Sequence, residues 1–351
     1  MAKIKRLVNL LFIVDPINYI VMTTQHEVFG HGYRIRSLNS NKAQVKDYQI
    51  NLPLPYGFGG GSTSFYLSDK LTMRQSVAIS IAGVESTAIL ANRLNLIWLK
   101  SNFINPRQAT LYIAAQQDTS SYIFLTTNND LGHGSNDISS YIKQMNHYFP
   151  NDPLTLNQLK KESAVSIFDP FTWFSYYSLY YYIWTGDHMK IPMFKIKDVE
   201  FMPSLRYALT PSGPAYYIDQ YYVYKDTPIY AYVKFGNHTG RFYYGMGLEH
   251  PTLLDKFVKN LGFRVDLFKE LKAKNALSFL DYIDAPIEEV ADLYGGVETR
   301  YGYGFNLIYK PKTVYLRGDL DLQVGYKSVG YIPGESLNAS PILRVGYHVK
   351  Y

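Results

Sequence analysis

Seven residues, His26-Glu27-Val28-Phe29-Gly30-His31-Gly32, place two imidazoles and a carboxylate within six positions. Two neutral imidazoles can hold a transition metal, and a carboxylate beside them can take a proton from water. A zinc-dependent hydrolase needs this set. Its common helical form is His-Glu-x-x-His, with the histidines four apart on one face. Here one residue is added, and the histidines stand five apart.

The extra residue has a geometric consequence. Four residues turn an α-helix by roughly 400°, which leaves two side chains about 40° apart; five turn it by roughly 500°, which leaves them about 140° apart. His31 can therefore join His26 on one metal only if the helix bulges or unwinds. A one-residue π-bulge would suffice, and such bulges gather at functional sites. Gly30 and Gly32, on either side of His31, make a distorted backbone cheap. The plainer alternative is an ordinary helix in which His31 closes the end. The flanking glycines and the scarcity of histidine, eight in the chain, favour the metal.

The pattern His-Glu-x-x-Gly-His, carried by His26, Glu27, Gly30 and His31, resembles the zinc motif of the dipeptidyl peptidase III family, a gluzincin-type group of metallopeptidases. The match covers little beyond these residues. The resemblance implies Zn²⁺ as cofactor, His26 and His31 as ligands, Glu27 as general base, and a glutamate from a later helix as third ligand. Glu85 fits that last role best. It lies in the apolar run Ile81-Ala-Gly-Val-Glu-Ser-Thr-Ala-Ile-Leu-Ala91, where an unpaired carboxylate is expensive.

Several elements must position these groups. Asp15 as N-cap and Pro16 as first residue predict a helix that begins there and carries the motif near its end. The basic Met1–Arg6 and apolar Leu7–Val14 imitate a signal peptide but lack a small-residue cleavage site; an exported protein would carry its leader upstream. Residues 44–66 read as extended around the glycine-rich loop 56–62. They form either a plain hairpin or a segment that pairs with a substrate backbone beside the metal. Helices are predicted over 71–99, 107–126, 136–148 and 164–186. Between the second and third, Gly132-His133-Gly134 repeats the arrangement around His31. His133 is either a turn residue or a second catalytic group that polarises a carbonyl or stabilises an oxyanion.

Past about residue 195 the period becomes two. Over 312–327, Val314, Leu316, Leu320, Leu322, Val324 and Tyr326 fall on one face, and Arg317, Asp319, Asp321, Gln323 and Lys327 on the other. The same alternation runs through 297–310 and the last residues before Tyr351. With 197–210, 215–225, 228–237, 240–250 and 259–269, about eight strands are predicted, and 276–293 has helical character. Membrane strands need about 9–11 residues, against about 5–6 in ordinary sheets. In a small barrel with side chains filling its interior, inward charges and outward aliphatics describe a membrane barrel. The alternative is a soluble antiparallel sheet with one wet face. The C-terminal strand resembles the closing strand of bacterial outer-membrane proteins.

Composition agrees with a lipid-facing chain. The 351 residues include 34 tyrosines, which collect where an apolar phase meets water, and no cysteine, which excludes thiolate ligands and disulfides. The net charge of +6 is not concentrated enough for nucleic acid. The expectation is an α+β chain: a helical metal-binding domain over 1–192, then an antiparallel, about eight-stranded membrane β-barrel over 193–351. Its expected function is that of a metallopeptidase-like zinc hydrolase in the bacterial outer membrane, with lipid and a peptide or protein as partners. The alternatives are a lipid-acting hydrolase and a non-enzymatic anchor with a structural metal or none.

Overall fold

The computed structural model describes all residues except 39–40, 69, 134–135, 275–293, 312–317 and 350–351. The helical expectation for 276–293 and the start of the 312–327 strand lie outside the described residues.

A single helical rod runs from Ala2 to Arg36. It does not begin at Asp15, which keeps helical dihedrals within the rod. Pro16 should break such a helix, since its ring crowds the carbonyl four residues earlier and it offers no N–H. The chain accommodates it with a π-helical stretch, Leu10–Val14, just ahead of the proline. The carbonyl of Phe12 is then taken by the hydroxyl of Tyr56 at 2.7 Å. A second π-helical stretch, Gln25–Gly32, coincides with the histidine motif.

Next comes a hairpin, β1 (Ala43–Ile50) with β2 (Gly61–Leu67), which lies against the motif. The helix predicted over 71–99 is two, Met73–Ser80 and Ala82–Ser101, bent by 50° at Ile81. Helices Pro106–Leu125, Asp137–Tyr148 and Pro170–Thr185 follow close to their predicted places. A two-residue pair, β3 (Phe103–Ile104) with β4 (Met189–Lys190), ties the helical region's middle to its end.

The remainder is a nine-stranded antiparallel sheet. Its strands are β5 (Phe194–Ile196), β6 (Val199–Thr210), β7 (Gly213–Tyr224), β8 (Thr227–His238), β9 (Arg241–His250), β10 (Leu261–Ala273), β11 (Val297–Tyr309), β12 (Gly318–Lys327) and β13 (Ser340–Val349). Each pairs with its neighbour in sequence, and β5 and β13 form the two edges. This corrects the barrel: among the described residues there is a ninth strand, the short β5, and β5 does not pair with β13, so the sheet is not closed.

Helices pack against the sheet at β6 and β8. A buried pair and a half-buried pair cross the junction: Arg74 with Glu270 at 2.6 Å, and Arg93 with Glu249 at 2.8 Å. Asp169 accepts from the Thr172 amide at 2.8 Å, capping helix Pro170–Thr185, and from the Ser204 hydroxyl on β6 at 2.6 Å. Buried charges are tolerable only when partnered in this way.

The predicted alternation is present, with its polar side inward. Asp266, Glu270, Asn306, Asp321, Gln323 and Lys327 are buried, while Leu267, Phe305, Leu307, Val324, Leu343 and Val345 are exposed. Apolar side chains also line the outside of the first helix, at Leu11, Phe12, Ile13 and Ile17, and of helix Pro170–Thr185, at Trp173, Tyr177 and Trp184. The rod from Ala2 to Arg36 is long and apolar enough to cross a bilayer.

Candidate metal centre

The π-helical stretch solves the spacing problem posed by the motif. Bonds that reach one residue further per turn bring positions five apart onto one face. His26 and His31 are both buried, with ring centroids 5.1 Å apart. Their Nε2 atoms converge on one oxygen, Oδ2 of Asp137, each at 3.0 Å.

The outer nitrogens are equally constrained. Nδ1 of His26 lies 3.0 Å from Oδ2 of Asp118, and Nδ1 of His31 lies 2.8 Å from the carbonyl of Ile79. Ile79 sits in the last turn of Met73–Ser80, where helix carbonyls seek partners outside the helix. With Nδ1 donating in both rings, each Nε2 is aimed at the same point, where it donates a proton to Asp137 or, once deprotonated, would offer a lone pair to a metal. Metal-ligating histidines are held in this manner, with the outer N–H given to a carboxylate or a backbone carbonyl. Nε2 of His26, Nε2 of His31 and an oxygen of Asp137 lie within 4.8 Å of one another. Two imidazoles and one carboxylate fit a catalytic zinc that keeps its fourth position open.

Asp137 opens helix Asp137–Tyr148, whose start is fixed by the Asn136 and Ser139 capping box. Burial alone would raise its carboxyl; His31 and His26 outweigh that and hold it well below the usual carboxylate range.

Glu27 is buried beside the cluster, and the Thr63 hydroxyl on β2 donates to its Oε2 at 2.7 Å. The 44–66 segment is therefore a hairpin that touches the motif through this contact. Tyr122 presents its ring edge-on to His26 at 5.8 Å. Burial, and then the charges of Asp137, Asp118 and Glu27, push its hydroxyl well up, so it stays protonated.

Glu85 does not join the cluster, which corrects its assignment as third ligand. Its carboxylate takes two hydrogen bonds from Arg34, at 2.6 and 2.8 Å, one from the Tyr331 hydroxyl at 2.9 Å, and one from the Gly334 amide. The apolar run around Glu85 did signal a buried carboxylate, but its partner is a guanidinium. His133 ends the short helix Asn128–His133, and its side chain lies outside the described residues.

Gly30 and Gly32 keep ordinary helical backbone, so cheap distortion is not their use. A Cβ on Gly30 would stand 2.6 Å from the carbonyl oxygen of Ala82, so the glycine permits backbone-to-backbone packing. Reading the sequence missed Asp137, Asp118, Thr63 and Tyr122. Asp137 alone had a signal, since it lies just past the second Gly-His-Gly.

Comparison with known proteins found no matching family model, no similar curated protein and no similar solved structure.

Proposed function

We propose that this chain is a zinc-dependent hydrolase that works at a lipid surface and cleaves a carbonyl-centred bond, with a peptide as the favoured substrate. The observation that carries the reading is the convergence of two imidazole Nε2 atoms on Asp137, with both Nδ1 atoms pinned from behind. When bound, zinc supplies Lewis acidity toward a carbonyl and makes water acidic enough to lose a proton near neutrality. Glu27 takes that proton as water attacks, then delivers it to the leaving group. Thr63 holds the Glu27 carboxylate in place meanwhile. Tyr122, kept protonated beside His26, would donate a hydrogen bond to developing negative charge. The inward polar and outward apolar faces of the sheet, together with the apolar outer surfaces of the first helix and helix Pro170–Thr185, support the lipid setting. The resemblance to the dipeptidyl peptidase III motif and an outer-membrane location belong to this same proposal.

The test is metal analysis joined to one conservative variant. The protein, purified in detergent and loaded with metal, should hold about one zinc per chain. Glu27→Gln should keep that zinc and lose hydrolysis of a peptide library by at least about 10²-fold, the scale of general-base catalysis. Less than a tenth of an equivalent of zinc, iron as the bound metal, or full activity in Glu27→Gln would end the reading.

A further inference from the structure

A cavity of about 230 Å³ lies where one end of the sheet meets the helices. It is separate from the metal centre, since none of His26, Glu27, His31 and Asp137 lines it. Three parts of the chain build its walls. The start of helix Met73–Ser80 supplies Thr72, Arg74 and Gln75. The facing ends of β10 and β11 supply Lys272 and Arg300, and Lys42 stands just ahead of β1.

Among the described residues, every charged side chain on this lining is a cation: Lys42, Arg74, Lys272 and Arg300. Two carboxylates stand behind them, and neither reaches the lining. Glu270 accepts from Nη2 of Arg74 at 2.6 Å. Glu298 accepts from Nζ of Lys272 at 3.0 Å and has Arg300 and Lys274 beside it as well. The Glu298 side chain is 40% exposed, so water weakens its hold on any of them.

Arg300 and Lys42 are the least committed. Nη2 of Arg300 lies 3.8 Å from Glu298, beyond hydrogen-bond range, and the guanidinium donates to no other group among the described residues. Nζ of Lys42 meets only an amide oxygen, that of Gln75, at 3.4 Å. Four cations thus share two carboxylates, which leaves an excess of two positive charges on the lining.

That excess defines the ligand. The space is smaller than the roughly 300–1,000 Å³ of drug-sized sites, so it suits one compact group. A phosphomonoester carries about −1.5 to −2 charge near neutrality and offers three strong acceptor oxygens. A guanidinium meets two such oxygens with parallel N–H groups, and an ammonium adds a point charge. The start of helix Met73–Ser80 contributes partial positive charge from its first amides. A single carboxylate would cancel only half of the excess.

We propose that this cavity binds a phosphomonoester, held by Arg300 and Lys42 with Lys272 and Arg74 behind them. The group belongs either to a lipid headgroup or to a soluble molecule. The site is independent of the metal reading and stands or falls without it.

The full chain, in phosphate-free maltoside micelles, is titrated calorimetrically with glycerol 3-phosphate, with micelle-carried phosphatidic acid and with acetate, at fixed ionic strength. At least one phosphomonoester should bind saturably, one per chain, at least about ten-fold more tightly than acetate, the worth of one charge-assisted hydrogen bond. Tighter binding of phosphatidic acid by that factor makes the ligand a lipid, and comparable or weaker binding makes it a soluble molecule. Arg300→Gln should weaken the binding at least about ten-fold, and adding Lys42→Gln should remove it, while circular dichroism and zinc content stay unchanged. Affinity should also fall as pH drops through about 6, where the phosphomonoester takes up its second proton. Acetate binding as tightly as either phosphomonoester, no saturable binding of either, or indifference to Arg300→Gln would overturn the proposal.

Discussion

Nδ1 of His26 and the hydroxyl of Thr87 reach the same oxygen, Oδ2 of Asp118, at 3.0 and 2.8 Å. Asp118 thereby keeps a proton on Nδ1 of His26, and Thr87 holds Asp118 in place. Outer partners of this kind are worth about 10–100-fold in metal affinity. Asp118→Ala should weaken zinc binding by that factor, read by competition with a chromogenic chelator, and leave Glu27 chemistry intact at saturating metal. Unchanged affinity would mean that His26 is held without Asp118.

Glu85 serves a different purpose from the one its surroundings suggested. Four hydrogen bonds reach it, two of them from Nη2 of Arg34, three residues past His31. Glu85→Ala would leave the Arg34 guanidinium buried and uncompensated, a loss of about 3–5 kcal/mol. Zinc per folded chain should not change, because Glu85 is no ligand. Denaturant midpoints measured beside metal content separate the two effects, and a variant that folds well but loses its zinc would restore Glu85 to the metal.

The contrast between Glu85 and Asp137 shows what a sequence can carry. The bulge over Gln25–Gly32 was legible because it follows from arithmetic: two rings five positions apart can meet only if the turn is widened. The alternation of β11 and β12 was legible because a strand's side chains have a fixed period of two. The third member of the His26–His31 cluster was not. Glu85 sits in apolar surroundings, which announces a paired charge, but the partner arrives from Arg34 and from the turn between β12 and β13, far away in sequence. Asp137 opens a helix, where an acidic residue already has a reason to be, facing the helix dipole. Whether the sheet closes was equally hidden, because it depends on where β5 and β13 end up rather than on any strand's own pattern.

Metal affinity should depend on pH through the imidazoles alone. Burial would raise the Asp137 carboxyl, but the two histidines hold it well below its ordinary value, so it is ionised across the neutral range and releases no proton when metal enters. Any stability drawn from this depressed group is present above the unfolded carboxyl value of about 3.9 and is lost only as pH falls through the lower folded value. Protons displaced by metal must therefore come from His26 and His31. Zinc affinity should fall as pH is lowered from 8 to 6, with a limiting slope of about two decades per pH unit if both rings are protonated. Calorimetric titration in buffers of different ionisation enthalpy counts the protons released, and a third proton would place Asp137 among the titrating groups.

Gly83 offers the sharpest structural check. It stands at the start of helix Ala82–Ser101, pressed against the motif helix, and a Cβ built on it would collide with Nε2 of His26. That nitrogen is one of the two that converge on Asp137. The position is rigid on both sides: Ala82 is packed against Gly30, and Asp118 and Asp137 hold the ring of His26. A single methyl group should push His26 off the shared point without unfolding the chain, since overpacking by one carbon costs about 1–3 kcal/mol. Gly83→Ala should therefore abolish stoichiometric zinc binding and any hydrolysis, with the thermal midpoint lowered by only a few degrees. Full zinc occupancy in Gly83→Ala would show that the metal, if one binds, does not sit between His26, His31 and Asp137.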